Sequence, residues 1–318
     1  MNQYLNASGA VTPSGQVAGA SDVSCICVCI CTYKRQSLLW RLLGELSQQN
    51  TEGLFTFSIA VADNDRERSA ESVVESARIE LGLSIKYYTE PRQNIALARN
   101  KVVLNAEGDY FAFIDDDEFP TRTWLLSLFK AMKEHNVDGV LGPVLRHFDE
   151  TPPKWIEKSR FYVRRVNPTG MPVRWLEART GNVLIKSELV KGDEEPFRAE
   201  FRAGEDQDFF RRKIDEGRAF IWCAEAVAYE TVPPVRWKRS YLLKKALLRG
   251  ATAALQPYRF IGVAKSMIAI PIYVLALPPA LLLGQHHFMT ILVKLCDHAG
   301  KLLMLAGVNP IREQYINE

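Results

Sequence analysis

The chain has 318 residues, 47% hydrophobic and 24% charged, a globular composition that excludes wholesale disorder. A net charge of +3 is too small for nucleic acid to be the main partner. The length suits one large α/β domain with an appendage, or two ordinary domains.

Residues 1–21 are rich in Ser, Gly, Ala, Asn and Gln. They have neither a basic start nor an apolar run of signal-peptide length and read as a flexible tail. Val23–Cys31 is a continuous apolar run, as expected of a strand buried on both faces. Cys25, Cys27, Cys29 and Cys31 alternate along it and so share one face. Their spacing suits neither mutual bridging nor a zinc knuckle, and unbridged thiols point to the reducing cytoplasm. Helical spacing follows in Gln36–Leu46, a second apolar run in Phe55–Ala62 and helical character in Arg66–Leu81. Ser84–Tyr88 reads as a short strand, Asn94–Asn105 as a helix, Asp109–Ile114 as a buried strand and Arg122–Glu134 as a helix; Val137–Val144 closes the series. Strands alternating with helices of this length predict right-handed βαβ units and a mostly parallel sheet.

From His147 to about Arg179 the pattern breaks into an aromatic-rich, irregular stretch. Trp155, Phe161, Tyr162 and Trp175 within it are either sugar-stacking platforms or a satellite core. Regular structure resumes with Thr180–Lys186, a helix near Asp206–Glu216 and a strand around Ala219–Cys223. From Lys238 the chain is basic and helical, and from Ser266 it is strongly apolar.

Ligands of open parallel sheets bind outside the carboxyl ends of the strands. Thr32-Tyr33-Lys34-Arg35 follows the first strand, Asp63-Asn64-Asp65 the second, and Asp115-Asp116-Asp117-Glu118 the strand Tyr110–Ile114. Four clustered acids raise one another's pKa unless something positive binds them. A hard divalent cation does so through carboxylate and phosphate oxygens. The same acids, just before Pro120 and Thr121, could instead favour the dipole of the following helix.

Four stretches together resemble family 2 glycosyltransferases of the GT-A fold: Ile30-Cys31-Thr32-Tyr33-Lys34-Arg35, Asp63-Asn64, Asn94-Ile95-Ala96-Leu97-Ala98-Arg99-Asn100 and Phe113-Ile114-Asp115-Asp116-Asp117-Glu118. Thr180-Gly181-Asn182 and Gly204-Glu205-Asp206-Gln207-Asp208-Phe209 fit the same family. The likeness covers about residues 23–250 and is strongest to bacterial exopolysaccharide enzymes of the succinoglycan type. It implies an inverting transfer from a nucleotide-diphosphate sugar, a uridine diphosphate sugar first among them, assisted by Mn²⁺ or Mg²⁺. It further implies that Asp63 holds the donor base, that Thr32 and Arg35 line the nucleotide pocket with Asp116, and that Arg99 lies near the diphosphate. A helix-interior Arg99 serves a structural ion pair equally well. Asp115 would face ribose and metal, Asp117 would ligate the metal, and Asp206 would be the general base with Glu205 as neighbour or runner-up. The acceptor implied is a polyprenyl-linked or other saccharide.

The chain departs from the family in two places. Where some relatives carry a metal-binding histidine, it reads Ala228-Tyr229-Glu230. Pro233-Pro234-Val235-Arg236-Trp237 keeps the Arg-Trp of processive relatives but lacks their Gln, which favours single-sugar transfer and leaves Arg236 as a phosphate partner. A dinucleotide-binding GxGxxG and a phosphate-loop GxxxxGK[ST] are both absent. The rival reading is a non-catalytic scaffold subunit of a polysaccharide assembly complex; donor hydrolysis separates the two.

The domain boundaries expected are 1–21 tail, 22–250 catalytic GT-A domain and 251–318 helical membrane-associated region. Ser266–Gly284 carries no formal charge and approaches the roughly 20 residues that span a bilayer. Pro271, Pro278 and Pro279 favour a re-entrant or interfacial segment over a straight helix. Phe288–Val308, with Lys294, Asp297, His298 and Lys301, suits a helix lying in the interface or one half of a buried hairpin. Upstream, Arg236, Lys238, Arg239, Lys244, Lys245 and Arg249 would attract anionic lipid, which places the chain on the cytoplasmic face of the inner membrane.

Overall fold

The computed structural model describes residues 23–201, 204–254 and 259–308; the segment read as a tail lies outside them. The first half alternates as its apolar periods predict: β1 (Ser24–Thr32), α1 (Gln36–Leu46), β2 (Phe55–Asp63), α2 (Glu71–Glu80), β3 (Ile85–Thr89), α3 (Ile95–Asn105) and β4 (Tyr110–Ile114). Then come β5 (Glu118–Pro120), α4 (Trp124–His135), β6 (Gly139–Leu141), β7 (Val144–His147), the short α5 (Lys154–Glu157), β8 (Asn182–Lys186), α6 (Glu205–Asp215), β9 (Phe220–Trp222) and β10 (Ala228–Thr231). Three C-terminal helices follow, α7 (Arg239–Ala253), α8 (Arg259–Leu282) and α9 (Gln285–Leu305).

Seven strands form the main sheet in the order β3-β2-β1-β4-β8-β6-β9, and β5-β10-β7 form a small second sheet. The main sheet is mixed: β1 is parallel to β2 and β4, whereas β8 is antiparallel to both β4 and β6. Two departures from the sequence reading are local. Val137–Val144 is not one strand, because Gly142-Pro143 sends β6 and β7 into different sheets. The helix expected from Arg66 starts at Glu71, since the preceding turn is held by the Asp63 carboxylate.

The sheet separates two cores. On one face Ile26, Val28 and Ile30 pack with α1, whose Leu39, Leu42, Leu43 and Leu46 recur at helical spacing and are fully buried. Each such leucine contributes about 1.5–3 kcal/mol. On the other face Cys27 and Cys29 meet Ala96, Ala98 and Val102 of α3 and Phe209 and Phe210 of α6. All six cysteines are free thiols.

α8 runs unbroken through Pro271, Pro278 and Pro279, against the sequence expectation of an interrupted segment. Its stretch Gly262–Leu282 is long and apolar enough to cross a membrane, and Ile268, Ile272, Leu275 and Leu282 stand exposed on it. Two polar residues of α9, Asp297 and His298, meet the neighbouring helices. Asp297 accepts two hydrogen bonds from Arg249 of α7, and His298 meets the Ser266 hydroxyl of α8 at 2.9 Å. Glycines set the α7–α9 crossing: a Cβ at Gly250 would lie 2.0 Å from the Asp297 carbonyl oxygen, and one at Gly300 2.2 Å from that of Leu247.

Candidate active site

The carboxyl ends of β1, β2 and β4 bring the sequence-marked acids to one edge, but not into one ring. Asp63 ends β2 fully buried. Its Oδ1 accepts from the Asp65 amide, and its Oδ2 from the Ala70 amide and the Tyr87 hydroxyl. The side chain therefore shapes the loop after β2 instead of facing a cleft. The neighbouring Asn64 spans to the carbonyl oxygens of Glu90 and Arg92 and accepts from the Asn94 amide, joining that loop to the start of α3.

After β4 the four acids diverge. Asp116 accepts from the Thr32 hydroxyl and from Arg35 Nη1, each at 2.8 Å. Thr32 and Arg35 thus hold an acid here. Burial pushes the Asp116 carboxyl up to about 6 against the pull of Arg35. Asp117 Oδ2 sits 2.6 Å from Arg236 Nη2 and 3.4 Å from Arg35 Nη1. Glu118 is buried with one carboxylate oxygen unpartnered, and desolvation, then Asp115, Asp117 and Glu230, hold it well above the usual range. Asp115 is half-exposed; desolvation raises it, Arg99 opposes, and Asp117, Asp206 and Glu230 add to the rise.

Gly181 leaves space between these acids. A Cβ there would lie 2.7 Å from Glu118 Oε1 and 3.2 Å from Asp115 Oδ2. The wall opposite comes from α6. Glu205 is buried and ion-paired with the buried Arg99, whose Nη2 is also 3.7 Å from Asp115. Of the two roles open to Arg99 in the sequence, the structure shows the ion pair. Asp208 is likewise spoken for, by Arg198, Arg211 and Arg212. Asp206 remains partly exposed and lines a cleft of about 690 Å³ with Trp175, Arg179, Lys245 and Lys301.

The family description "Glycosyl transferase family 2" matches residues 27–184. The succinoglycan biosynthesis protein ExoM of Rhizobium meliloti is 34% identical over 230 residues, 70% of this chain and 72% of that protein. The chain belongs to glycosyltransferase family 2. The poly(ribitol-phosphate) β-N-acetylglucosaminyltransferase TarS of Staphylococcus aureus is 23% identical over 217 residues, 64% of this chain but 35% of TarS. Among solved structures, the Pyrobaculum calidifontis mannosyltransferase PcManGT, in complex with GDP-Man and Mn²⁺, superposes with TM-score 0.62 at 17% identity, covering 88% of this chain and 86% of that one. A TarS fragment in complex with UDP-GlcNAc gives 0.51 at 16% identity, covering 89% and 92%. The mixed sheet is the GT-A fold.

For a family 2 glycosyltransferase the acid cluster has the donor set of a hard divalent cation, all oxygen. The unpartnered Glu118 oxygen and the carboxylate-lined space at Gly181 fit such an ion. Among the described residues no three His, Cys, Asp or Glu side chains are arranged as a finished metal cage. The cation nearest Asp117 is Arg236, which also donates to Glu230 at 2.8 Å. Arg164 completes the network from the irregular stretch by donating to Glu230 at 2.7 Å. Sequence reasoning missed Arg164, since no periodicity or motif surrounds it. Of the four aromatics weighed for sugar stacking, Trp155, Phe161 and Tyr162 pack with α7 and α9, and Trp175 lines the Asp206 cleft.

Proposed function

We propose that this family 2 glycosyltransferase moves one sugar, with inversion, from a nucleotide-diphosphate sugar to a hydroxyl of a polyprenyl-linked saccharide at the cytoplasmic face of the inner membrane. A uridine diphosphate sugar is the donor of first choice. The observation that carries the reading is the placement of Asp206: it lines a large cleft partly exposed, while the neighbouring acids Glu205 and Asp208 are held by arginines. Residues 22–250 form the catalytic unit and 251–318 the membrane-associated region.

In this mechanism the donor lies over the ends of β1, β2 and β4, its base against the loop that Asp63 shapes. Arg35 and the Thr32–Asp116 pair line the nucleotide side. Asp206 accepts the proton of the acceptor hydroxyl as its oxygen bonds to the anomeric carbon from the face opposite the leaving group. The bond from that carbon to the diphosphate breaks, and the electron pair leaves with the diphosphate. Asp115 and Asp117 would hold Mn²⁺ or Mg²⁺, which neutralises the departing diphosphate when bound. Glu205, locked to Arg99, orients the start of α6 and cedes the base role to Asp206.

PcManGT is described with a guanosine diphosphate sugar and Mn²⁺, and TarS with a uridine diphosphate sugar, which supports a nucleotide-sugar donor and a divalent cation. The exposed apolar face of α8 supports the membrane surface as partner. The test is a screen of nucleotide sugars for slow hydrolysis with Mn²⁺ or Mg²⁺. Cation-dependent release of nucleoside diphosphate from one donor is expected; no release from any donor sinks the catalytic reading and leaves the scaffold role. Full-length protein should pellet with membranes, and Ile272→Lys with Leu275→Lys should shift it toward the supernatant. Recovery of the unsubstituted protein as a soluble monomer without detergent would remove the membrane from the proposal.

A further inference from the structure

Beside the Asp206 cleft lies a smaller recess of about 270 Å³ over the ends of β6, β8 and β9, a volume that one pyranose ring and its substituents fill. Leu176 and Arg179 line both cavities, so the two share a wall. Its lining is chemically unusual in two ways. Three arginines border it, Arg164, Arg165 and Arg179, against one acid, Glu177; Arg164 is already paired with Glu230, which leaves Arg165 and Arg179 as the cations turned to the recess. Arg179 donates to the carbonyl oxygens of Leu176 and Ala178, and the acid whose charge acts on it is Asp206 across the shared wall. Burial lowers its pKa, as expected for a cation held partly out of water.

The second feature is a concentration of unpaired polar atoms. Asn167 Oδ1, Trp222 Nε1 and Glu177 Oε2 belong to residues that line the recess, and each is buried with no hydrogen-bond partner. Asn167 and Trp222 are at most 9% exposed. A buried polar group left unsatisfied costs about 1–3 kcal/mol, so three around one recess mark a place built for a polar occupant.

The set specifies that occupant. Trp222 Nε1 only donates, while Asn167 Oδ1 and Glu177 Oε2 only accept. A fully ionised phosphate could satisfy the first but not the other two, and Glu177 would repel it. Hydroxyl groups both donate and accept. The excess of arginine calls in addition for a negative group.

We propose that this recess is a subsite for an acidic sugar of the acceptor, a saccharide unit bearing a carboxylate. Its hydroxyls pair with Asn167, Trp222 and Glu177, and its carboxylate faces Arg165 and Arg179. The shared wall lets a hydroxyl of the same acceptor reach Asp206. The inference rests on the glycosyl-transfer reading for its biological setting, but the binding it predicts is independent of turnover.

The test is direct binding to full-length protein in detergent, by saturation-transfer NMR titration with methyl β-D-glucuronide, methyl β-D-glucoside and inorganic phosphate. Glucuronide should bind about tenfold more tightly than glucoside, the scale of one charge-assisted hydrogen bond, and phosphate should not displace it. The surface change Arg165→Gln should lower glucuronide affinity by about tenfold and leave the glucoside and uridine diphosphate unaffected. Trp222→Phe should weaken both glycosides, since it removes a donor and keeps the ring. Equal affinity for the two glycosides, no binding of glucuronide, full displacement by phosphate, or indifference to Arg165→Gln would each overturn the proposal. If every nucleotide sugar resisted hydrolysis while glucuronide still bound through Arg165, the transfer reading alone would fall.

Discussion

At the β1–β2–β4 edge, Asp63 receives three internal hydrogen bonds, Thr32 and Arg35 both hold Asp116, and Asn64 ties two loops together. At the β8–β6–β9 edge, Asn167, Trp222 and Glu177 carry buried atoms that nothing pairs; Asn167 comes from an irregular stretch, Glu177 from a single 3-10 turn and Trp222 from the end of β9. Both edges belong to one sheet and face one candidate catalytic centre. The contrast separates two strategies for a binding surface. The first half cross-links most of its polar groups, with one buried oxygen each of Asp65, Ser69 and Glu118 left unpaired, so it presents mainly a shape. The second half leaves its hydrogen-bonding capacity open, so it presents a demand that a ligand must meet. Selectivity toward a chemically diverse partner is easier to place in the second kind of surface.

Substitutions can break this contrast, the largest effect first. Asp117→Ala should abolish turnover and divalent-cation-dependent donor binding and, because it takes a partner from the buried Arg236, should also lower Tm, measured by donor hydrolysis and by thermal circular dichroism. A variant that retains near-normal activity in the presence of chelator would refute the metal role. Asp206→Asn should lower kcat by about 10²–10⁴-fold with donor affinity little changed. Since Glu205 is locked to Arg99, Glu205→Gln should instead disturb stability along with rate; a larger kcat effect at constant stability would reverse the assignment of the pair. Gly300→Val drives a side chain into the Leu247 carbonyl and should cost about 1–3 kcal/mol, read as a lower Tm in detergent.

The smallest effect concerns pH. Burial raises the Asp116 carboxyl from its ordinary value near 3.8 to about 6. The fold therefore favours the protonated form, and the stability linked to that proton is lost as pH rises from near 3.8 through about 6. Asp116→Asn, which has no such proton to lose, should flatten that part of the Tm-against-pH curve. An unchanged slope would mean that Arg35 offsets the burial.

The regular half of the fold was legible because burial imposes a period: Leu39, Leu42, Leu43 and Leu46 announce α1, and the run Tyr110–Ile114 announces a strand hidden on both faces. The acids at strand ends were legible because their clustering is costly in any fold. What joins the site was not. Arg99 reaches Glu205 across 106 positions and Arg236 reaches Asp117 across 119, and no local spacing encodes such pairings. Arg164, Arg165 and Asn167 sit where neither helix nor strand period operates, so their convergence comes from the path of the loop alone. The prolines of α8 misled for a related reason: a helix interruption was inferred from the missing amides, whereas the helical path persists through them.

One consequence follows from Arg236, which stands between the acids and α7. Its guanidinium donates to Asp117 and Glu230, and α7 begins three positions later at Arg239. α7 in turn meets α9 along the Gly250 and Gly300 seam, and α9 meets α8. A soluble version made by cutting away the last two helices is therefore not a neutral edit. It would strip the partner from a face shaped by glycines and loosen the residue that neutralises the acid cluster. An engineer who wants this enzyme in water should keep all three helices and recolour only the outward side of α8.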